Sequence, residues 1–502
     1  MKAPFSPQPL SLTGHAVRGS ALTVSASLFT LALGLLRSVL LARLLAPEHF
    51  GVVALAMFFI GLASRLRGFG LDNAFLHRPI PDEAFRHTYF WLRLFLDVAA
   101  FGGLLLLVPL LGLVYANVPA LPPVMAALVG VAFLSSLSTF QEMFLRRELA
   151  FARLATVEVC AAVAMTLAGP YAAWRGWGVW ALVAEQAAGA MMRFALSWGP
   201  FRSWWPGVGW RRKDVEWFWH YGRPMWVIGN VSHVLDTFDD FWLGTALGDL
   251  ALGYYNRAYT FARYTRRAFA DPLMTVFTPI FAKLQHDRRR LSRAYTQAAY
   301  LILRAGFLMA GFTALMMPEF IRFVIGSKWL PMLWTFRLLV IYALLSPLVM
   351  LTQNLFFATG HPHVPRRATV VQALFFVPAV VVAADVAGIA GVALVADAML
   401  LLGLAVMYRP LMASVDCSAR RLLKWPLVAL AVALGAGLWV ESGWPTAWGQ
   451  LVVKPSAFVG LFVGVILVAE RDQVKHALDV AVHLVTSGRK SSEAGGGQSG
   501  AR

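Results

Sequence analysis

Long apolar runs follow one another from residue 20 to residue 469, and hydrocarbon on that scale is buried most readily in a bilayer. The runs lie at roughly 20–42, 50–68, 89–113, 122–144, 155–173, 177–197, 223–246, 255–282, 298–317, 333–358, 367–386, 388–408, 425–441 and 451–469. Most approach or exceed the ~20 residues that carry a helix across the hydrocarbon. Inside lipid every backbone amide must find its partner within the protein, so such runs are read as helices. Of the 502 residues, 59% are apolar and 14% charged, against ~25% charged in a soluble domain. An ordinary cytosolic enzyme is excluded. Fourteen spans use about 280 residues. The remainder averages about 15 per loop or tail, too little for a folded extramembrane domain of ~50 residues.

The basic residues test that count. With the N-terminus inside, twenty-nine of the 44 Lys and Arg fall in cytoplasmic loops and tails, six fall outside, and nine lie within or at the edges of spans. This follows the positive-inside rule, and one span added or missed would invert everything downstream. The expectation is an all-α integral membrane protein of about fourteen transmembrane helices, with both termini cytoplasmic. The formal net charge of +18 is then mostly a matter of orientation, and nucleic acid is not an expected partner. The apolar run after Arg18 is too long for a signal-peptide core and reads as a retained first span. Residues 486–502, rich in Gly and Ser, read as disordered.

A weak internal repeat divides the chain. Leu45, Phe50 and Gly51 at the end of the first span correspond, 202 residues on, to Leu247, Leu252 and Gly253 at the end of the seventh. The match falls where two six-span halves would begin. It predicts two pseudo-symmetric lobes, 18–197 and 221–410, around a central cavity, with an axis along the membrane normal. A cytoplasmic N-tail (1–17), a Trp-rich inter-lobe loop (198–220), two further spans (411–470) and a C-tail (471–502) complete the organisation. The tryptophans of the loop, among them Trp198, Trp204, Trp205, Trp210, Trp217 and Trp219, are read as an interfacial belt.

Charges within spans are costly, at ~2.5–3.5 kcal/mol each even on lenient scales, and they mark cavities or partners. Arg37, Arg263, Arg266, Arg267 and Arg337 lie in the outer parts of their spans. Arg263 shares a helix face with Arg266 and Arg267, which outnumber the one nearby acid, Asp271. Arginine suits a phosphate ligand, since its planar fork offers two donors and stays charged when desolvated. These five are the candidate substrate residues. Asp236, Asp239 and Asp240 are candidates for a coupling cation or for pairing with the arginines between lobes. Arg93 and Asp97, four residues apart, read as a mutually neutralising pair.

Catalytic and metal motifs are absent. There is no GxxxxGK[ST] loop for ATP, no CxxC, and no His or Cys group at metal-ligand spacing. No cofactor is expected, and coupling to H+, Na+ or the membrane potential stays open.

Several segments in order resemble a known family. They are Gly68-Phe69-Gly70-Leu71-Asp72-Asn73-Ala74-Phe75-Leu76-His77-Arg78, then Asp239 to Gly244 followed by Leu252 to Tyr259, then Val276 to Pro279 with Leu284 to Asp287, then Ile325-Gly326-Ser327-Lys328-Trp329, and finally Ala358 to Pro362. Over residues 18–410 the chain resembles the polysaccharide transporter (oligosaccharide flippase) family of the multidrug/oligosaccharidyl-lipid/polysaccharide exporter superfamily. That resemblance implies a two-lobed bundle with a V-shaped cavity. It also implies alternating-access translocation of undecaprenyl-diphosphate-linked glycans across the bacterial inner membrane, with bilayer lipid, a polysaccharide polymerase and glycosyltransferases as partners. Among the proposed site residues only Asp239 falls on a family pattern position. The competing readings are a cation-coupled multidrug exporter of the same superfamily and an integral-membrane glycan polymerase or glycosyltransferase. The short loops speak against the second.

Overall fold

The computed structural model describes residues 9–78, 82–443, 446 and 449–471, and these contain helices and turns but no strand. The tail from residue 472 and the first eight residues lie outside the described residues. Fourteen helices follow in order: α1 (Pro9–Leu44), α2 (Pro47–Leu66), α3 (Leu71–His77), α4 (Glu83–Val114), α5 (Leu121–Arg147), α6 (Phe151–Trp174), α7 (Trp180–Trp198), α8 (Arg212–Ala246), α9 (Gly248–Leu284), α10 (Arg288–Glu319), α11 (Leu333–Ala358), α12 (His363–Ser414), α13 (Ala419–Gly443) and α14 (Lys454–Ala469). Their starts follow from local chemistry. Pro47 sits in the first turn of α2, where its missing N–H costs nothing. The carboxylates of Asp82 and Asp287 accept from the Phe85 and Arg290 amides at 3.0 and 2.9 Å and cap α4 and α10.

These fourteen helices are not the fourteen expected spans one for one. α3 is a seven-residue helix that no apolar run announced. α12 holds two of the expected spans. Its 52 residues would run about 78 Å if straight, more than twice a ~30 Å hydrocarbon core. The chain instead turns at Gly388 (φ 58°, ψ −145°), a region open essentially to glycine alone. Gln372 Nε2 then donates to Met399 O at 3.0 Å, so the two arms fold back on one another. Every expected span coincides with helix, and ten helices are long and apolar enough to cross a membrane. α7, α8 and α9 are not among the ten, and α12 counts there once. Charged residues along α8 and α9 lower their hydropathy. Side chains such as Leu106, Leu113, Val386 and Val468 stand more than three-quarters exposed, which suits a lipid-facing surface.

α1 packs on α6, α6 on α7, and α5 on both α4 and α7. α9, α10 and α11 pack on one another, and α11 on α12. α2 bridges the groups by lying against α8 and α9, while α13 and α14 pair and lean on α10. The bridge is unusually close. A Cβ on Gly51 would lie 1.8 Å from Asp249 O, and one on Gly253 would lie 2.0 Å from Pro47 O. Residues 47 and 249, like 51 and 253, are 202 apart. The contact is therefore reciprocal under the offset seen in the sequence, as a two-fold crossing requires.

The Trp-rich loop is more than an interfacial belt. Trp204 is buried, stacks on Phe144 with centroids 4.9 Å apart, and donates through Nε1 to Glu83 Oε2 at 3.0 Å. Gln141 Nε2 donates to Trp204 O at 2.8 Å. Together with Phe75, Phe85, Tyr89, Phe140 and Phe218 it builds a second apolar core, separate from the main one. Trp205, Trp210 and Trp219 stay exposed.

Candidate substrate cavity

Two cavities carry charged side chains among their lining residues. The first, of about 560 Å³, opens where α1, α6, α7 and α9 meet, and is lined by Thr30, Arg37, Glu158, Arg193, Tyr264, Arg267 and Asp271 among others. Arg37 is not a free cation here. Its Nε lies 2.9 Å from Glu185 Oε1, a buried carboxylate on α7. Arg193 Nη2 likewise lies 3.2 Å from Glu158 Oε2. Arg267 and Asp271 remain, one turn apart on α9. The expected cationic cavity is therefore closer to charge balance than the arginines alone suggested. The reason is that the balancing acids come from α6 and α7, far off in sequence.

The second cavity, of about 350 Å³, is formed by residues 64–73 with Arg93, Trp226 and Asn230. Arg65, Arg67 and Arg93 supply its positive charge. Arg67 pairs with Asp97, and Arg93 with Asp72. Tyr89 Oη donates to Asp72 Oδ1 at 2.7 Å, and Ser136 Oγ to Asp97 Oδ2 at 2.7 Å. The Arg93–Asp97 pair read from the sequence is the long contact of this network, at 4.0 Å. Each member has a closer partner on another element. Arg65 lies in the last turn of α2 and Arg67 caps it. The structure puts both at the end of α2, facing this cavity.

The remaining candidates divide. Asp236, exposed on α8, lies within electrostatic reach of Arg65 and of Arg266. Arg266 approaches the Met350 sulfur at 4.0 Å, and its buried Nε has no hydrogen-bond partner. Arg263 sits 5.8 Å from the Tyr259 ring and within reach of Asp240. Arg263, Arg266 and Arg267 act on one another, with Asp271 the nearby acid of Arg267. Asp239 is buried and accepts from Tyr255 Oη at 2.6 Å, which ties α8 to α9. Asp240 faces Asn256, Arg257 and Arg263. Arg337 stacks on Trp334 at 5.4 Å. None of Asp236, Asp239, Asp240, Arg263, Arg266 and Arg337 lines either cavity. Among the described residues no group of three or more His, Cys, Asp and Glu could hold a metal ion.

Sequence reasoning missed two sets of residues. Arg257 lies on α9, nine residues from its start at Gly248. Its guanidinium lies over Phe50 at 4.3 Å and donates to Ser38 Oγ at 3.3 Å. The second set clasps the end of α1. Lys328 Nζ donates to the carbonyls of Arg43 and Leu45 at 2.9 and 2.7 Å, and Trp329 Nε1 donates to Ala42 O at 2.8 Å. Arg43 Nη1 returns a bond to Val324 O at 2.8 Å. A helix C-terminus leaves carbonyls unsatisfied and favours a cation. The Gly-Ser-Lys-Trp segment was the available signal, but a motif match does not say what its Lys and Trp touch.

At the opposite end of the bundle the loop before α8 is pinned by a fork. Arg211 Nη1 and Nη2 donate to the two Asp82 oxygens at 2.8 and 2.7 Å, and its Nε to Asp214 Oδ2 at 2.6 Å. The bonds from Arg211 hold the Asp82 carboxyl below the usual carboxylate range.

Comparison with known proteins decides the family. The model of a family described as polysaccharide biosynthesis protein matches residues 40–334, more than half of the chain. The chain belongs to that family. It is 23% identical over 390 residues to the lipopolysaccharide biosynthesis protein WzxC of Escherichia coli (strain K12), covering 77% of this chain and 78% of that one. It is 24% identical over 317 residues to the succinoglycan biosynthesis transport protein ExoT of Rhizobium meliloti (strain 1021), covering 58% of each. Among solved structures, the lipid II flippase MurJ in an inward closed conformation superposes with a TM-score of 0.76 at 14% identity, over 90% of this chain and 100% of that one. An inward-facing multidrug resistance MATE transporter of the MOP superfamily gives 0.60 at 16% identity, over 78% and 98%. At these identities the structures carry the fold alone. This family member is a multi-pass membrane protein, with ten helices long and apolar enough to cross a bilayer.

Proposed function

We propose that the chain flips a lipid-linked oligosaccharide, held on undecaprenyl diphosphate, across the bacterial inner membrane by alternating access. The lobes 18–197 and 221–410 rock about the α2–α9 crossing, the fourteen expected spans (every helix but α3, with the two arms of α12 counted separately) cross the bilayer, and both termini are cytoplasmic. The observation that carries this reading is Arg266. Its guanidinium sits in the seam with a buried, unpartnered Nε, beside Arg263 and Arg267, and it shares Asp236 with Arg65 of the other lobe. A diphosphate offers the acceptors that this group lacks and can displace Asp236 from both arginines.

The geometry supports a definite cycle. Lys328, Trp329 and the glycine crossing close the end of the bundle that the charge count assigns to the outside. Diphosphate and first sugars enter from the other end, while the lipid tail stays in the bilayer. Neutralising the arginines from Asp236 to diphosphate frees the seam to rearrange. The Lys328 and Trp329 bonds then break as the outer end opens. A cation on Asp236, Asp239 or Asp240, or the membrane potential acting on the arginines, resets the lobes.

The test is glycan export with Arg266→Ala/Arg267→Ala. Export should be lost while membrane insertion and thermal stability are kept. Normal export by a folded double variant contradicts the assignment.

A further inference from the structure

At the end of the bundle where α12 passes into α13 lies a third cavity, of about 500 Å³, lined by Ser418, Arg420, Arg421, Lys424, Trp425, Ala469, Glu470 and Arg471. Such a volume is in the range of small-molecule sites, roughly 300–1,000 Å³. Four of its side chains are cations, and its single acid is already committed. Arg304 Nε donates to Glu470 Oε2 at 3.0 Å, Tyr300 Oη donates to the same oxygen at 2.8 Å, and the second Arg304–Glu470 contact is closer still. Arg304 Nη1 also holds Leu422 O at 3.1 Å, so the carboxylate is turned inward and neutralised. Among the described residues, Arg420, Arg421, Lys424 and Arg471 make no ion pair. Lys424 instead leans on the Trp425 ring at 4.7 Å.

A second feature adjoins the cations. Leu427 and Val428 stand three and four residues beyond Lys424, and Leu467 and Val468 four and three before Arg471. All four are exposed. On α13 the spacing puts Leu427 and Val428 on the helix face of Lys424, while Leu467 and Val468 close the last turns of α14 just before the chain leaves the helix at Glu470 and reaches Arg471. A cationic pocket that continues into unpartnered apolar helix faces matches a molecule with an anionic head and hydrocarbon tails. Positive-inside counting places the pocket at the cytoplasmic leaflet, where anionic headgroups meet basic pockets between helices.

We propose that the α13–α14 pocket binds the phosphate headgroup of an anionic membrane phospholipid, with its acyl chains along Leu427, Val428, Leu467 and Val468. The site is separate from the substrate cavity and does not depend on the flippase reading. It would attach the α13–α14 pair to anionic bilayer through a bound lipid.

The test is retention of defined lipids by the purified full-length protein, read by native mass spectrometry. The probes are phosphatidylglycerol, phosphatidylcholine, inorganic phosphate and a polyprenyl diphosphate. Phosphatidylglycerol should be retained in preference to phosphatidylcholine. Arg420→Gln/Arg421→Gln/Lys424→Gln should weaken retention roughly a hundredfold, from about 1 kcal/mol per cation. Arg366→Gln/Arg367→Gln, basic and exposed near the start of α12, should leave it unchanged. Arg471→Gln alone, which leaves α13 intact, should give a smaller loss in the same direction and guards against misfolding of the triple variant. Equal retention of the two phospholipids, or unchanged retention by both pocket variants, overturns the proposal. So does displacement by millimolar inorganic phosphate, which makes the ligand a free anion. Displacement by polyprenyl diphosphate at a concentration where phosphatidylglycerol cannot compete assigns the pocket to the carrier lipid and overturns it as well.

Discussion

At the scale of single residues, what matters is which charges are already spent. Arg37 looked like a substrate residue from its depth, yet Glu185 holds it. Arg266 looked the same and keeps an open donor. Depth and spacing found both, but only the fold separates them, because Glu185 is 148 positions from Arg37. The two should therefore respond differently. Arg266→Ala should reduce transport severely with little loss of stability. Arg37→Ala should cost stability first, since it strands a buried carboxylate, and Glu185→Gln in the same chain should recover part of it. Melting temperature and transport measured on the three variants separate these outcomes. A harsher case is Arg304. It and Glu470 are both buried, and removing one member of such a pair costs about 3–5 kcal/mol. Arg304→Met should lower thermal stability strongly, while Arg304→Met/Glu470→Leu should return most of it. Equal losses in the single and double variants would show that the pair is not the source.

Among the elements, the sequence was informative wherever hydropathy was uniform. Each apolar run lies on helix, and the two runs either side of residue 387 are the two arms of α12. What the runs did not reveal was α3, which is too short for periodicity, and the true start of α9. That start is set by the positive φ of Gly248 rather than by apolar content, so α9 begins seven residues before the apolar run at 255. The Trp-rich loop is legible only in part for a related reason. Composition shows that tryptophan suits an interface, but a buried stack on Phe144 depends on a partner sixty residues away. Two glycines carry element-level predictions. Gly388→Ala must adopt a conformation costing about 1–3 kcal/mol for other residues, and should destabilise the α12 hairpin by that amount in a thermal shift assay. Gly51→Ala meets a backbone carbonyl that no rotamer change can move, so α2 and α9 must part. It should cost at least ~1–3 kcal/mol and impair transport together with stability. A Gly51→Ala protein of native stability would mean that the crossing is looser than described.

For the whole molecule, the 202-residue repeat was the faint signal that mattered most. Its Gly51 and Gly253 meet each other's helix at the crossing in a reciprocal contact. Closure at that end rests on few bonds: Lys328 and Trp329 on the last carbonyls of α1, and Arg43 in return. Weakening them with Lys328→Met/Trp329→Phe should raise the labelling rate of a cysteine placed at Thr30 by an impermeant reagent added outside. The background should lack Cys160 and Cys417, and the protein should stay folded. An unchanged rate would mean that the clasp does not gate the cavity.

The central claim is that this chain moves a lipid-linked glycan and that Arg266 is one of its anion contacts. It is tested most directly by reconstituting the purified protein into vesicles with a fluorescent polyprenyl-diphosphate oligosaccharide and following its arrival in the opposite leaflet. Wild-type protein should transfer the label and Arg266→Ala should fall at least tenfold, with comparable incorporation of both. Transfer by wild type no faster than in empty vesicles, or equal transfer by the two proteins, would contradict the account.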